Sequence, residues 1–320
     1  MLSSYPLLES LTLLHATRPP QDDEAHQPAQ GSGEPPVDPD QSINMPHLVE
    51  LHLGGHPRDL TTLWRSIAIP RTASVRFDFT LSLAEPGILI TQLMHAVKVH
   101  LESPRNDTVM LRARTSQWNF IEGIIGPARV DLPGTEVAQV PGTCVFNIRF
   151  GLPIMLAGQA FAYTLSAFVL AAAPHARTLR LVGYSLGPEP LDFGSSSIRT
   201  LYVQGSDALQ TAAVILRSGQ LSELQSAELV TEGDVMGLGG DLIEALQSRV
   251  PPLKRLVLRG AVRYLDHQER NEELELIRDA VDVLDDQREV RFTGAMHENP
   301  YADVSTTVGG RGRRKQRKGA

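Results

Sequence analysis

The sequence predicts an α/β protein: an irregular leucine-rich-repeat-like solenoid with a curved, mostly parallel sheet and helices on its other face. Three observations lead there. Pro6-Leu-Leu-Glu-Ser-Leu-Thr-Leu13 is echoed by Pro46-His-Leu-Val-Glu-Leu-His-Leu53. Later echoes are Arg177-Thr-Leu-Arg-Leu-Val182, Ile198-Arg-Thr-Leu-Tyr-Val203 and Pro252-Leu-Lys-Arg-Leu-Val-Leu258. The last of the three is spacing: Leu179, Leu201, Leu229, Leu256 and Val290 follow one another at 22, 28, 27 and 34 residues. Leucine-rich repeats run at roughly 20–29 residues, one strand and one helix or turn per unit, so the pattern is a degenerate form of that repeat.

The elements follow in order. Each echo ends in alternating apolar residues, as a short strand needs when it turns every second side chain inward. Leu179, Leu181, Leu201, Val203, Leu256 and Leu258 are therefore expected in the core. Weaker strand signals lie at Val75 to Phe79, Val109 to Arg112, Val145 to Phe150 and Glu289 to Phe292, and Gly126 to Gly142 reads as a loop. Helical stretches lie between them at Leu60 to Ile67, Gly87 to His100, Ile154 to Ala173, Asp207 to Arg217, Asp241 to Arg249 and Glu272 to Leu284. The last carries Leu274, Ile277, Val281 and Leu284 at helical spacing, with its acids on the outer face.

Four regions result. Residues 1–17 form the first repeat strand region and residues 18–45 a Pro-rich acidic insertion. Between Arg18 and Ser42 the only aliphatic side chain larger than alanine is Val37, against prolines at 19, 20, 28, 35, 36 and 39 and six acids. Such a segment buries too little to offset its ordering entropy and is expected to be disordered. Residues 46–294 form the repeat body, and 295–320 a disordered basic tail.

Composition removes several classes. A chain of 320 residues with 42% hydrophobic content can build a large core. Cys144 is the only cysteine, which excludes an internal disulfide and cysteine-based zinc sites and favours a reducing, cytoplasmic or nuclear compartment. No basic region precedes the apolar residues of Met1 to Leu14, so no secretory signal is indicated. Phe150 to Ala176 contains no Asp, Glu, Lys or Arg. Its apolar stripe of Ile154, Gly158, Phe161, Leu165, Phe168 and Ala172, with Gln159 and Ser166 off it, favours a buried helix over a membrane span. The net charge is −7, yet six of the last ten residues are Lys or Arg, which leaves −13 on the remainder. An acidic body opposes a broad nucleic-acid footprint, so nucleic acid is not expected apart from the tail.

The Pro-x-Leu-x-x-Leu-x-Leu runs, the phrase Leu63-Trp-Arg-Ser-Ile-Ala-Ile-Pro70-Arg-Thr-Ala-Ser-Val-Arg-Phe77 and the strand Leu201-Tyr-Val-Gln-Gly205 resemble the carboxy-terminal leucine-rich-repeat-like region of basidiomycete fungal F-box proteins, over most of Tyr5 to Gly294. That resemblance implies a substrate receptor of a cullin-type ubiquitin ligase, in which an F-box docks the Skp1 adaptor and the repeats hold a protein substrate. No Leu-Pro-x-Glu-Leu-like F-box segment precedes the first repeat here, so adaptor docking is expected only if an F-box is supplied elsewhere. The expected activity is protein interaction without catalysis, through an unknown protein partner, with no cofactor and no metal.

One catalytic alternative arises from the residues. Gly183-Tyr-Ser-Leu-Gly187 follows a strand, as the nucleophile elbow of an α/β-hydrolase does, and Ser185, Asp266 and His297 stand in hydrolase order as nucleophile, orienter and base. Against it, Pro188-Glu-Pro190 leaves no room for the helix that should follow an elbow, and no oxyanion-loop sequence follows an early strand. Weaker motifs are Gly233-Asp-Val-Met-Gly-Leu-Gly-Gly240, which lacks a Walker lysine, and His52 with His56, whose four-residue spacing suits a metal only on a helix. The acidic run Glu269 to Asp286 reads as a solvated helix face rather than as paired catalytic carboxylates.

Overall fold

The chain is described by a computed structural model over residues 7–14, 42–81, 86–102, 105–113, 120–127, 141–150, 157–172, 175–183, 185–186, 191–194 and 196–293. The elements in chain order are β1 (Ser10–Leu14), β2 (Ile43–Asn44), β3 (Glu50–Gly55), α1 (Pro57–Arg65), β4 (Ile67–Ala68), β5 (Ser74–Leu81), α2 (Pro86–Leu101), β6 (Thr108–Ala113), β7 (Phe120–Gly126), β8 (Cys144–Phe150), α3 (Ala157–Ala172), β9 (Thr178–Val182), β10 (Thr200–Gly205), α4 (Ala208–Arg217), β11 (Ser226–Met236), α5 (Gly240–Gln247), β12 (Arg255–Tyr264), α6 (His267–Arg278), β13 (Leu284–Asp286) and β14 (Glu289–Phe292).

Alternation within the strand motifs fixes the sheet. Lateral register joins Leu13, Leu53, Phe77, Phe146, Gly123, Leu111, Leu181, Val203, Leu229 and Leu258 into one transverse row. Two residues earlier, Leu11, Leu51, Val75, Cys144, Ile125, Val109, Leu179, Leu201, Ala227 and Leu256 form a second. Both rows join residues from all six helices in one buried cluster, so the helices lie against a single face. The six core positions expected from the motifs are all buried. The fold class is thus α/β with a mostly parallel sheet.

The strand order is not simple succession. Along the sheet it runs β1, β3, β5, β8, β7, β6, β9, β10, β11, β12, with β13 and β14 pairing successive parts of β12, and β2 and β4 form a separate pair. From β5 the chain passes through α2 to β6, three positions away; β7 runs back antiparallel beside β6, β8 fills the gap antiparallel to β7 and parallel to β5, and α3 carries the chain over β7 and β6 to β9. The expected unit-by-unit order fails across this middle, and β7 is a strand that the sequence reading lacked. It supplies Gly123 to the first row. A Cβ there would lie 2.3 Å from the Phe168 ring of α3, so the missing side chain is the space that Phe168 fills. Phe168 in turn packs edge-on against Phe146, which stacks on Phe77, which meets Trp64 of α1, at centroid separations of 5.0, 5.1 and 5.5 Å. The Trp64 indole donates to the Ala96 carbonyl of α2, so one aromatic chain ties three helices to two strands.

α3 is the buried helix expected from the charge-free stretch: Leu165, Phe168, Val169 and Ala172 lie in the core. Among the described residues no helix is long and apolar enough to cross a membrane. Most of the 18–45 insertion and all of the 295–320 basic tail lie outside the described residues. The insertion's end belongs to the body, since Ile43 and Asn44 pair with β4 and Met45 is buried.

The last helix begins earlier than its apolar spacing suggests. Asp266 caps α6 by accepting from the Glu269 amide at 2.9 Å, while Glu269 accepts from the Leu265 amide, a reciprocal cap of two carboxylates. After Arg278 the chain leaves the helix: Val281 bridges Leu253, and Leu284 joins the second row beside Leu256. The carboxy-terminal end is closed by Arg288, almost wholly buried, which forks onto Asp286 at 2.7 and 3.1 Å and faces Glu273 at 3.6 Å. Glu273 also accepts from the Leu238 amide and the Tyr264 hydroxyl; this bond and, more strongly, burial hold the Tyr264 phenol above its ordinary range.

Candidate interface on the open strand face

Residues between the core positions turn to the face that carries no helix among the described residues. Over β9–β12 the main row is Arg180, Tyr202, Glu228 and Val257, followed by Val182, Gln204, Val230 and Arg259. The Arg180 guanidinium carbon lies 4.1 Å from the Tyr202 ring centroid, a cation–π contact that presents a flat amphipathic surface. The Tyr202 hydroxyl donates to Gln204 Oε1 at 2.8 Å, and the Gln204 amide donates to Glu232 at 2.9 Å. Arg259 pairs with Glu228 at 3.3 Å; Asp234 takes Arg263 on one side and Arg291 on the other; Arg255 meets Asp285 at 2.8 Å. The Arg255 hydrogen bond, with Gln287 beside it, keeps the Asp285 carboxyl below its usual range. Pairs this exposed add about 0–1 kcal/mol each to stability, so their main effect is to hold side chains of both signs in place over the strands.

Toward the other end the floor changes. Met110, Ile124 and Val145 form a small separate buried cluster on the helix-free face of β6–β8. Next to it, Asp78 accepts from Asn147, faces His52 Nε2 at 2.6 Å and meets Arg76 Nε at 3.3 Å. Burial pushes its carboxyl up, but the bonds from Asn147 and His52 and the Arg76 charge outweigh it and leave the group below its ordinary value.

Of the sequence-predicted catalytic residues, Ser185 and Asp266 do not converge. Ser185 lies just beyond β9, and Asp266 just beyond β12, with β10 and β11 between those strands. Three strand spacings amount to roughly 14 Å, against the ~3 Å that a triad needs. Among the described residues no helix follows β9 before β10. The Asp266 carboxylate is occupied as a helix cap. His297 lies outside the described residues. His52 and His56 likewise part company: one bonds Asp78, the other accepts the Arg58 amide at the start of α1. No group of three metal-ligating side chains occurs among the described residues.

The glycine run at 233–240 finishes β11 and leads into α5, beside a cleft of about 660 Å³ at the carboxy ends of β10 and β11. Asp207, Asp241 and Glu244 line it, and Arg217 is bound to the last two, so its charge is wrong for phosphate.

The strand-face residues Arg180, Tyr202, Glu228 and Arg259 were not singled out from sequence. Their signal was the alternation itself, since whatever stands between two core leucines faces the other way. Taken together, fold and surface define an α/β protein with an open, charged and aromatic strand face. No protein-family model, curated protein or solved structure matches the chain.

Proposed function

We propose that the chain is a non-enzymatic protein-interaction scaffold, an irregular leucine-rich-repeat-like solenoid that binds a partner protein on the open strand face over β9–β12. The observation that carries this reading is the Arg180–Tyr202 stack, set in a field of paired charges on a face that none of the described helices covers. Tyr and Arg combine large contact area with polar handles and dominate the energetics of interfaces. Charges of both signs suit a partner with a complementary pattern and give specificity more than raw affinity. With the resemblance to the repeat region of fungal F-box proteins, the partner would be a ubiquitin-ligase substrate, provided an F-box is supplied elsewhere.

The test is substitution on the face alone. Tyr202→Ala and Arg259→Glu should each weaken capture of a partner recovered with the unaltered protein by about tenfold or more, with unchanged circular dichroism. A partner retained equally by both variants would place the interface elsewhere.

A further inference from the structure

The two ends of the sheet are built differently. At the carboxy-terminal end β12 is bordered by two short strands in succession, β13 of three residues and β14 of four, which carry Asp285, Asp286, Glu289 and Arg291. Short, charged and interrupted strands keep an edge from pairing with another chain. The amino-terminal end has none of these devices. β1 runs five residues, Ser10-Leu-Thr-Leu-Leu14, without a charge, a proline or a bulge, and among the described residues no strand pairs its outer edge.

Register shows which backbone groups that edge presents. The Glu9 carbonyl accepts from the Glu50 amide at 3.0 Å, so Glu9, Leu11 and Leu13 bond toward β3, while the amides and carbonyls of Ser10, Thr12 and Leu14 point outward. Side chains at the same edge form an incomplete layer. Leu11 and Leu13 belong to the two core rows yet are only partly buried, whereas their neighbours Leu51 and Leu53 on β3 are 1% and 0% exposed.

We propose that β1 pairs with β1 of a second copy of this chain, antiparallel about a two-fold axis through Thr12 and normal to the sheet. Thr12 then faces Thr12 and Ser10 faces Leu14 in hydrogen-bonded pairs, so every outward amide of the strand finds an outward carbonyl. Leu11 meets Leu13 in the closer, non-hydrogen-bonded pairs, and the apolar layer runs unbroken from one copy into the other. The charged pair that the same register adds is complementary, since Glu9 falls opposite His15. β13 paired with itself would set aspartate against aspartate. A surface that complements itself is what a two-fold interface requires. With the axis normal to the sheet, both helix layers stay on one side and both helix-free faces on the other. The dimer is therefore bivalent, and a partner carrying two matching epitopes gains avidity. The pairing stands whether or not the strand face binds a partner.

Sedimentation equilibrium of the full chain tests this. A dimer is expected, and Thr12→Pro and Thr12→Lys should each weaken it about tenfold or more with unchanged circular dichroism. The first removes an amide that does not serve β3, and the second sets two like charges on the axis. Register is read by cross-linking. Thr12→Cys should form a disulfide between copies, because Cα atoms of a hydrogen-bonded pair lie ~5.5 Å apart, within reach of that bond. Ser10→Cys alone should not, since its two copies stand four residues apart along the strands, roughly 13 Å, whereas mixing it with Leu14→Cys should restore the link. Cys144 is buried and does not compete. A parent chain that sediments as a monomer overturns the proposal, as does a dimer that Thr12→Lys leaves intact, a Thr12→Cys chain that does not cross-link, or a Ser10→Cys chain that links to itself as readily.

Discussion

At position 123 the sheet needs the smallest side chain for a reason of packing alone, because the obstacle to a Cβ is the Phe168 ring and not the backbone. Gly123→Ala should destabilise the protein by about 1–3 kcal/mol in chemical denaturation, and adding Phe168→Leu should recover part of that loss. A neutral Gly123→Ala would mean that α3 sits further from β7. His100 supplies a pH dependence. Its ring is buried against Trp64, with Nε2 on the Ala73 carbonyl at 3.1 Å. Burial holds its pKa below the ordinary 6.5, helped by the Arg71 charge and opposed by the carbonyl bond. The unfolded chain therefore takes up the proton first. Stability is intact above that ordinary value and declines as pH falls from there toward the folded-state value. Between about pH 7 and 5 the denaturation midpoint should drop, and it should drop less in His100→Gln, whose amide can reach the same carbonyl. Parallel declines in both would assign the effect to another group. Single residues in repeated contexts were legible from sequence, as Leu181 and Val203 show, whereas His100 was not, because its partner carbonyl is 27 positions away.

Among the elements, α6 shows how local chemistry overrides periodicity. Leu274, Ile277, Val281 and Leu284 share helical spacing, yet only the first two are in the helix. Asp279, Asp282, Asp285 and Asp286 would have crowded negative charge at the carboxy end of a longer helix, against its dipole. The other end was marked by Asp266 and Glu269, a capping pair whose first member the hydrolase alternative had read as catalytic. Asp266→Ala should cost about 1 kcal/mol of stability, as loss of a cap does, and leave the chain as unreactive toward a serine-directed fluorophosphonate as the parent. Labelling of Ser185 that vanishes in Asp266→Ala would restore the catalytic reading. β7 was illegible for a related reason. Phe120-Ile-Glu-Gly-Ile-Ile-Gly126 carries two glycines, which weaken a strand signal, and the need for the first of them exists only once α3 is packed across it.

Over the whole molecule, the alternating motifs specified which face of each strand is buried and that most strands run parallel, but not the order in which they lie. Order depends on which strand finds which neighbour across long stretches of chain, and nothing local in β5 distinguishes β6 from β8 as its partner. The helix-free face was legible only by subtraction, and which of its side chains meet waited on register: Arg180 and Tyr202 are 22 residues apart and become neighbours only when β9 and β10 pair. The interleaved middle also limits how such a chain can grow or shrink. Between β9 and β12 each strand adjoins its predecessor and successor, so duplicating or losing a single strand-helix unit there keeps every remaining seam between like surfaces. Across β5 to β9 the same event would strand one crossover above an empty lane, because α2 and α3 each span two strands laid down at a different point of the chain. The carboxy-terminal half is therefore where a lineage could lengthen the sheet unit by unit, while the middle must be inherited whole.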